Sequence, residues 1–254
     1  MALALNSCQK EITGSINSFG CKVQQFNYLN ANGGLAATFS YSYDSATAKP
    51  TQLVYTDSLG RQTTVIPSFK SDTVFFSNSS YAVLDGSSRI THLVEKSGFS
   101  ANGDYYYQYD AGGHINKRTY DDGTNSYVSN ATFSGDALTK FTQPYGTVTD
   151  ALVFNYTYSD SVKIADFNYF MLVGIDFPEL ELYLPCFSIG IFTTKAIATE
   201  SFSVAVPVTT QPSYSVSYSN YLLTGQGYIS SVKVATTLNG VTYPTGISAS
   251  YLCK

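Results

Sequence analysis

Leu152–Tyr158 reads LVFNYTY: Leu152, Phe154, Tyr156 and Tyr158 fall on one side of an extended chain, Val153, Asn155 and Thr157 on the other. Side chains alternate across a strand, so this spacing predicts a strand that buries an aromatic face and presents a more polar one. The same alternation appears in FSYSYD, where Phe39, Tyr41 and Tyr43 oppose Ser40 and Ser42, and in SYSVSY, where Tyr214, Val216 and Tyr218 oppose serines. A register slip of one residue would turn every aromatic to solvent, so these are half-buried antiparallel strands.

Turn chemistry separates the strands. Tyr55–Thr63 (YTDSLGRQT), Tyr107–Tyr120 (YQYDAGGHINKRTY), Tyr120–Tyr127 (YDDGTNSY) and Leu238–Tyr243 (LNGVTY) are hairpin candidates. Their Asp, Asn and Gly residues supply local hydrogen bonds and positive φ angles. A loose repeat, aromatic-x-Tyr-Asp followed by a glycine turn and a return strand, recurs near Tyr43-Asp44 and Tyr109-Asp110, but it is too irregular for a solenoid. About a dozen strands are expected between Cys21 and Cys253. The predicted fold is all-β, an antiparallel meander in a strongly curved or partly open barrel, with residues 21–254 forming one β domain.

One segment departs from period two. Asp166–Thr194, DFNYFMLVGIDFPELELYLPCFSIGIFTT, is strongly apolar. Phe167, Phe170, Met171 and Gly174 fit a helical stripe with Asp166 as N-cap. Asp176, Glu179, Glu181, Pro178 and Pro185 interrupt it well short of a membrane span. A short apolar helical insert around 166–194, docked on the sheet, is the expectation. The strands themselves look like six to nine residues, short of the ~9–11 that cross a bilayer. A water-facing meander with an aromatic core is therefore favoured over a membrane barrel.

Composition narrows the function classes. The 254 residues include 22 Tyr and 16 Phe but no Trp, only 13% are charged, and the net charge is -4. No basic stripe is available to neutralise phosphates, which excludes ordinary nucleic-acid binding. No CxxC occurs and there are only two His, so no metal site is expected. No G-x-S-x-G elbow and no glycine-rich phosphate cradle are present, so neither a catalytic residue nor a cofactor is assigned. His92, alternating with Ile90 and Val94, reads as an inward core histidine, and His114 as a solvated turn residue. Asp121–Thr124 reads as a turn, because two carboxylates fall short of a calcium ligand set.

Near the start, Ala2–Glu11 reads ALALNSCQKE. LNSC resembles a bacterial lipobox, with an aliphatic residue three places before the cysteine and a small residue just before it. Residues 1–20 are thus expected to be the remnant of a lipoprotein signal and a tether, with Cys8 the lipidated residue. Of the remaining cysteines, Cys21 opens the first strand-like run and Cys253 closes the last, so a disulfide between them would staple both ends of the fold. Cys186 lies in an apolar stretch and reads as a buried thiol. Three cysteines allow three pairings, and spacing alone leaves them open.

The YSYDSATAKPTQLVYTDSLGR (41–61) and YYYQYDAGGHINKRTYDDG (105–123) hairpins, DFNYFMLV (166–173) and the terminal SYLC (250–253) together resemble a Bacteroidetes lipoprotein family of unknown function with a porin-like fold. Some members of that family are described as lipid-binding. The resemblance spans nearly everything from Cys21 onward. It implies a partly open barrel tethered to the outer membrane, and it brings no catalytic residues.

The expected function is accordingly a non-catalytic cell-envelope protein that binds a lipid or other apolar ligand. Phe167, Phe170, Met171, Leu172, Tyr156 and Tyr158 are the candidate lining residues. The expected partners are a membrane, reached through the lipid anchor, and that apolar ligand. The alternative is a structural or protein/glycan-interaction module of the cell surface whose barrel is filled by its own side chains. Nothing in the sequence specifies an oligomeric state.

Overall fold

The computed structural model describes residues 21–97, 101–145, 147–163, 179–180, 182–183, 186, 195–204 and 214–253. Within them the chain forms seventeen strands. The first seven are β1 (Cys21–Leu29), β2 (Leu35–Tyr43), β3 (Pro50–Asp57), β4 (Gln62–Val65), β5 (Ser68–Lys70), β6 (Thr73–Phe75) and β7 (Tyr81–Leu84). Then come β8 (Ile90–Glu95), β9 (Gly103–Tyr109), β10 (Ile115–Asp121), β11 (Ser126–Ser134) and β12 (Ala137–Tyr145). The last five are β13 (Thr147–Lys163), β14 (Lys195–Val204), β15 (Tyr214–Leu223), β16 (Ile229–Leu238) and β17 (Val241–Cys253).

The topology is the expected all-β meander. Successive strands pair antiparallel, and β1 pairs with both β2 and β17, so the first and last strands are neighbours. Among the described residues the sheet is open between β4 and β5, which Ile66 and Pro67 connect and where Pro67 has no N–H for a ladder. Cys21 and Cys253 are register partners joined by a disulfide, with Cα atoms 4.0 Å apart.

Two expectations on strands are corrected. Seventeen strands replace about a dozen, because β4 to β7 are three or four residues long and too short to show a period. Strand length is also not uniformly six to nine residues: β13 has 17 and β17 has 13. The outer face carries a polar row. Thr132, Lys140, Asn155, Ser201, Ser215, Thr237 and Thr242 form one cross-strand row over β11 to β17. All seven are exposed or half-buried. A lipid-immersed barrel presents an apolar band on that side.

The helical expectation is corrected as far as the described residues reach. Glu179, Leu180, Leu182, Tyr183 and Cys186 lie in tight turns, with Tyr183 N–H donating to Leu180 O (2.9 Å) and Cys186 N–H to Tyr183 O (2.8 Å). Two closely spaced prolines and acidic residues favour such turns over a continuous helix. Phe167, Phe170, Met171 and Leu172 lie outside the described residues, as does Cys8.

One turn recurs five times and accounts for the irregular repeat. Asn30, Asp57, Asp85, Asp110 and Thr224 each pair their N–H with the carbonyl four residues on, and each accepts at its own carbonyl from the N–H three residues on. Each side-chain oxygen also accepts from the N–H four residues on, at 2.9 to 3.1 Å. The fourth residue takes positive φ: Gly33, Gly60, Ser88, Gly113 and Gly227. That is a left-handed position following a tight turn, which is why glycine fills four of the five.

The abundance of tyrosine has an equally local cause. Tyr43 OH donates to Val23 O (2.6 Å), Tyr109 to Ile90 O (2.7 Å), Tyr158 to Leu138 O (2.7 Å), Tyr221 to Ile197 O (2.6 Å) and Tyr251 to Ile229 O (2.9 Å). In every case the acceptor carbonyl sits where the ladder register shifts. A bulge frees a backbone group from the ladder, and a phenol reaching along the neighbouring strand satisfies it while burying its ring.

Candidate functional site: the barrel interior

The inward faces supply one continuous core, including Phe26, Phe39, Leu53, Leu93, Phe141 and Phe154. Seventeen strands at a spacing of about 4.8 Å give a perimeter of about 80 Å. A barrel of eight strands is about half as wide and is already filled by its own side chains. A sheet this long needs additional filling. The described residues of the insert provide part of it: Glu179, Leu180, Leu182, Tyr183 and Cys186 are all buried.

The insert meets the wall through two polar clusters. In the first, Arg118 of β10 places Nη1 3.3 Å from both carboxylate oxygens of Glu179, and Tyr107 OH donates to Glu179 Oε1 at 2.8 Å. Arg118 Nη2 donates to Ser129 Oγ and Gln143 Oε1, both at 3.2 Å, and its guanidinium lies over the Phe141 ring at 5.5 Å. Glu179 is 1% exposed and Arg118 8%. Two charges taken this far from water require such a set of partners.

In the second cluster, Tyr183 stacks on Phe76 with ring centroids 3.8 Å apart. Its hydroxyl lies 3.1 Å from Ser97 Oγ, and Ser97 N–H donates to the buried carboxylate of Glu95 at 2.6 Å. On β14, the buried Glu200 accepts from Tyr218 OH at 3.2 Å and stands across from Tyr156 in the register.

Burial here favours the neutral forms of the thiol and the phenols. Burial pushes the Cys186 thiol far above its ordinary range. Burial, and secondarily the Glu179 carboxylate, raises the Tyr107 phenol, and burial with Glu200 does the same to Tyr218. Neither the thiol nor these phenols is activated as a nucleophile or base. Among the described residues no group of three His, Cys, Asp or Glu is placed to hold a metal. Aromatic side chains and a few fixed polar groups thus make up the described interior.

The candidate residues distribute as follows. Tyr156 is buried and Tyr158 half-buried, both on the inward face of β13 and in line with Phe154. Cys186 is buried and outside any disulfide.

His92 faces outward, unlike the reading from alternation with Ile90. A register shift in the β7–β8 ladder, after the Leu84–Ile90 pair, reverses the phase, so Ile90, Leu93 and Glu95 point in. His114 is not solvated: it is 6% exposed, 3.0 Å from Asp110 Oδ2 and 3.3 Å from Asp136 Oδ1, and stacked on Phe133. Asp122 does form a turn, its Oδ1 accepting from Thr124 and Asn125 N–H.

Sequence reasoning missed Arg118, Glu95, Glu179 and Glu200. Arg118 shares its phase with Tyr120, a signal that it points inward. A buried arginine calls for a buried acid, and Glu179 stands in the most apolar segment of the chain.

No protein-family model matches the sequence, and no curated protein matches it either. Among solved structures, the chain is similar to a porin-like protein from Bacteroides uniformis. The TM-score is 0.64 at 13% identity, covering 91% of this chain and 98% of that one. It is similar also to a porin-like protein from Bacteroides vulgatus, with a TM-score of 0.58 at 12% identity and the same coverage. The chain has the porin-like β fold of these Bacteroides proteins.

Proposed function

We propose that this chain is a non-catalytic lipoprotein of the cell envelope that binds a lipid or other apolar molecule inside its barrel. The supporting observation is the contrast of its wall with a membrane pore: aromatic side chains line the inside, and a polar row of Thr, Lys, Asn and Ser runs across the outside of β11 to β17. A perimeter too wide for wall side chains alone leaves an apolar interior as the natural place for a ligand. Attachment to the outer membrane through lipid on Cys8 concentrates the protein where such ligands are. A single acyl chain binds a membrane only marginally, so the reading includes the multiple chains of a bacterial lipoprotein anchor.

Two experiments test the reading. Titration with a fluorescent polyene fatty acid is expected to give saturable binding that Tyr156→Arg weakens at least tenfold. Absence of saturable binding by the folded protein overturns the ligand assignment. Metabolic labelling with an alkyne fatty acid is expected to mark the wild-type protein and not Cys8→Ala, and equal labelling of both overturns the anchor.

A further inference from the structure

The outer wall of β8 to β11 differs from the polar row that crosses β11 to β17. His92, Tyr106, Thr119 and Val128 form one cross-strand row. Asp104, Asp121 and Ser126 form the row on one side of it, and Gln108, Lys117 and Asn130 the row on the other. All face outward, since the alternate residues Tyr105, Tyr107, Arg118 and Ser129 are buried.

At the centre, the Tyr106 ring stands against His92, with centroids 4.4 Å apart and planes 6° from parallel. Tyr81 packs edge-on against His92 from the far side at 6.1 Å, and Asp104 Oδ2 lies 3.9 Å from its Nε2. One face of Tyr106 is therefore fixed by a braced partner. Its other face stands over Thr119, whose short side chain cannot cover a ring, and among the described residues no aromatic stacks there. Tyr106 is 43% exposed.

We infer that this braced, half-open tyrosine and its polar frame are a binding subsite for a neutral hexopyranose unit of a glycan. The C–H face of a pyranose is apolar and packs on an aromatic ring, while its hydroxyls project around the rim as donors and acceptors. The frame meets them with matching groups: carboxylates at Asp104 and Asp121, amides at Gln108 and Asn130, and an ammonium at Lys117. With strands about 4.8 Å apart and alternate residues about 6.8 Å apart, the frame measures on the order of 10 Å by 13 Å. That holds a sugar ring with its hydroxyls. Two carboxylates against one ammonium disfavour acidic polysaccharides, and a ring held upright disfavours an extended peptide, which would pair with a strand edge.

Partial desolvation, with the Asp104 and Asp121 carboxylates, raises the Tyr106 phenol, which keeps it a neutral hydroxyl. The site is on the opposite side of the wall from the apolar interior and stands independently of the lipid reading.

The test is affinity electrophoresis of the folded protein through gels containing galactomannan, xyloglucan, amylopectin or β-1,3-glucan, with polygalacturonate as the acidic control. At least one neutral polysaccharide is expected to retard the wild type. Tyr106→Ala should weaken that retardation at least tenfold. So should Thr119→Arg, which fills the open face but leaves the His92–Tyr106 stack in place. Both variants should keep the wild-type circular dichroism and fatty-acid binding. Three results overturn the inference: no retardation by any neutral polysaccharide, retardation that neither variant changes, or selective retardation by polygalacturonate. A change of oligomeric state in the variants without a change in retardation overturns it as well, and assigns the face to a second copy of the chain.

Discussion

Arg118 and Glu179 meet inside the barrel from elements 61 residues apart, with Nη1 of the guanidinium 3.3 Å from both carboxylate oxygens. The pair ties the apolar insert to β10. Removing one partner leaves a buried charge uncompensated, which costs about 3–5 kcal/mol. Glu179→Leu and Arg118→Met are each expected to lose that much stability in urea unfolding. The double variant Arg118→Met/Glu179→Leu should recover most of it, since a well-packed apolar pair avoids the desolvation. A double variant as unstable as the sum of the singles would show that the two side chains do not act as a pair.

The tyrosine–bulge bonds make a second prediction. Tyr109→Phe and Tyr158→Phe keep the ring and remove the donor to Ile90 O or Leu138 O. Each should cost about 1 kcal/mol. The two sites share no partner, so their effects should add. Tyr106→Phe, whose hydroxyl bridges no bulge, should be close to neutral in the same assay.

The Cys21–Cys253 disulfide closes a loop of sequence separation 232 and joins the first and last strands of the meander, which are neighbours in the sheet. Loop-closure entropy assigns it about 5 kcal/mol. Cys21→Ser/Cys253→Ser should lower the melting temperature by several degrees, and dithiothreitol should do the same to the wild type but nothing to the variant. Cys186, buried with its thiol raised, should react with an aromatic disulfide reagent only on unfolding.

The Asp-x-x-Gly/Ser turns carry a pH signature. At Asp57, Asp85 and Asp110 partial desolvation raises the carboxyl. Hydrogen bonds from Arg61, Arg89 and His114, side chain and backbone, outweigh it and hold each carboxyl below its ordinary value. A lowered folded-state value means that the stabilisation is complete above the unfolded carboxylate range. It is lost as pH falls through about 4 and then through the lowered values. Urea midpoints should therefore be flat from pH 6 to 5 and fall below pH 4. Asp57→Asn/Asp85→Asn/Asp110→Asn, which keeps the side-chain acceptors, should show a shallower fall.

Much of the fold is legible in the chain. Alternation in FSYSYD, LVFNYTY and SYSVSY predicts strands with the correct inward residues, because the register shifts that touch these runs place the extra residue on the partner strand. His92 fails the same test, since a single bulge after Ile90 reverses the phase and no residue type announces it. The short strands β4 to β7 pair with their sequence neighbours over only three or four residues each, too few to show a local period. Tyr156 and Tyr158 were readable as interior residues. Arg118, Glu95 and Glu200 were not, because charged residues at inward positions acquire their partners only through the folded meander.

The central claim is an apolar ligand inside an aromatic barrel. The direct measurement is native mass spectrometry of the full-length protein purified from its own envelope, with solvent extraction of anything bound. The account predicts a discrete added mass of one or a few lipid-like molecules, retained through detergent-free washing and diminished in Tyr156→Arg. A protein whose only added mass is the covalent anchor on Cys8, identical in wild type and variant, would contradict it.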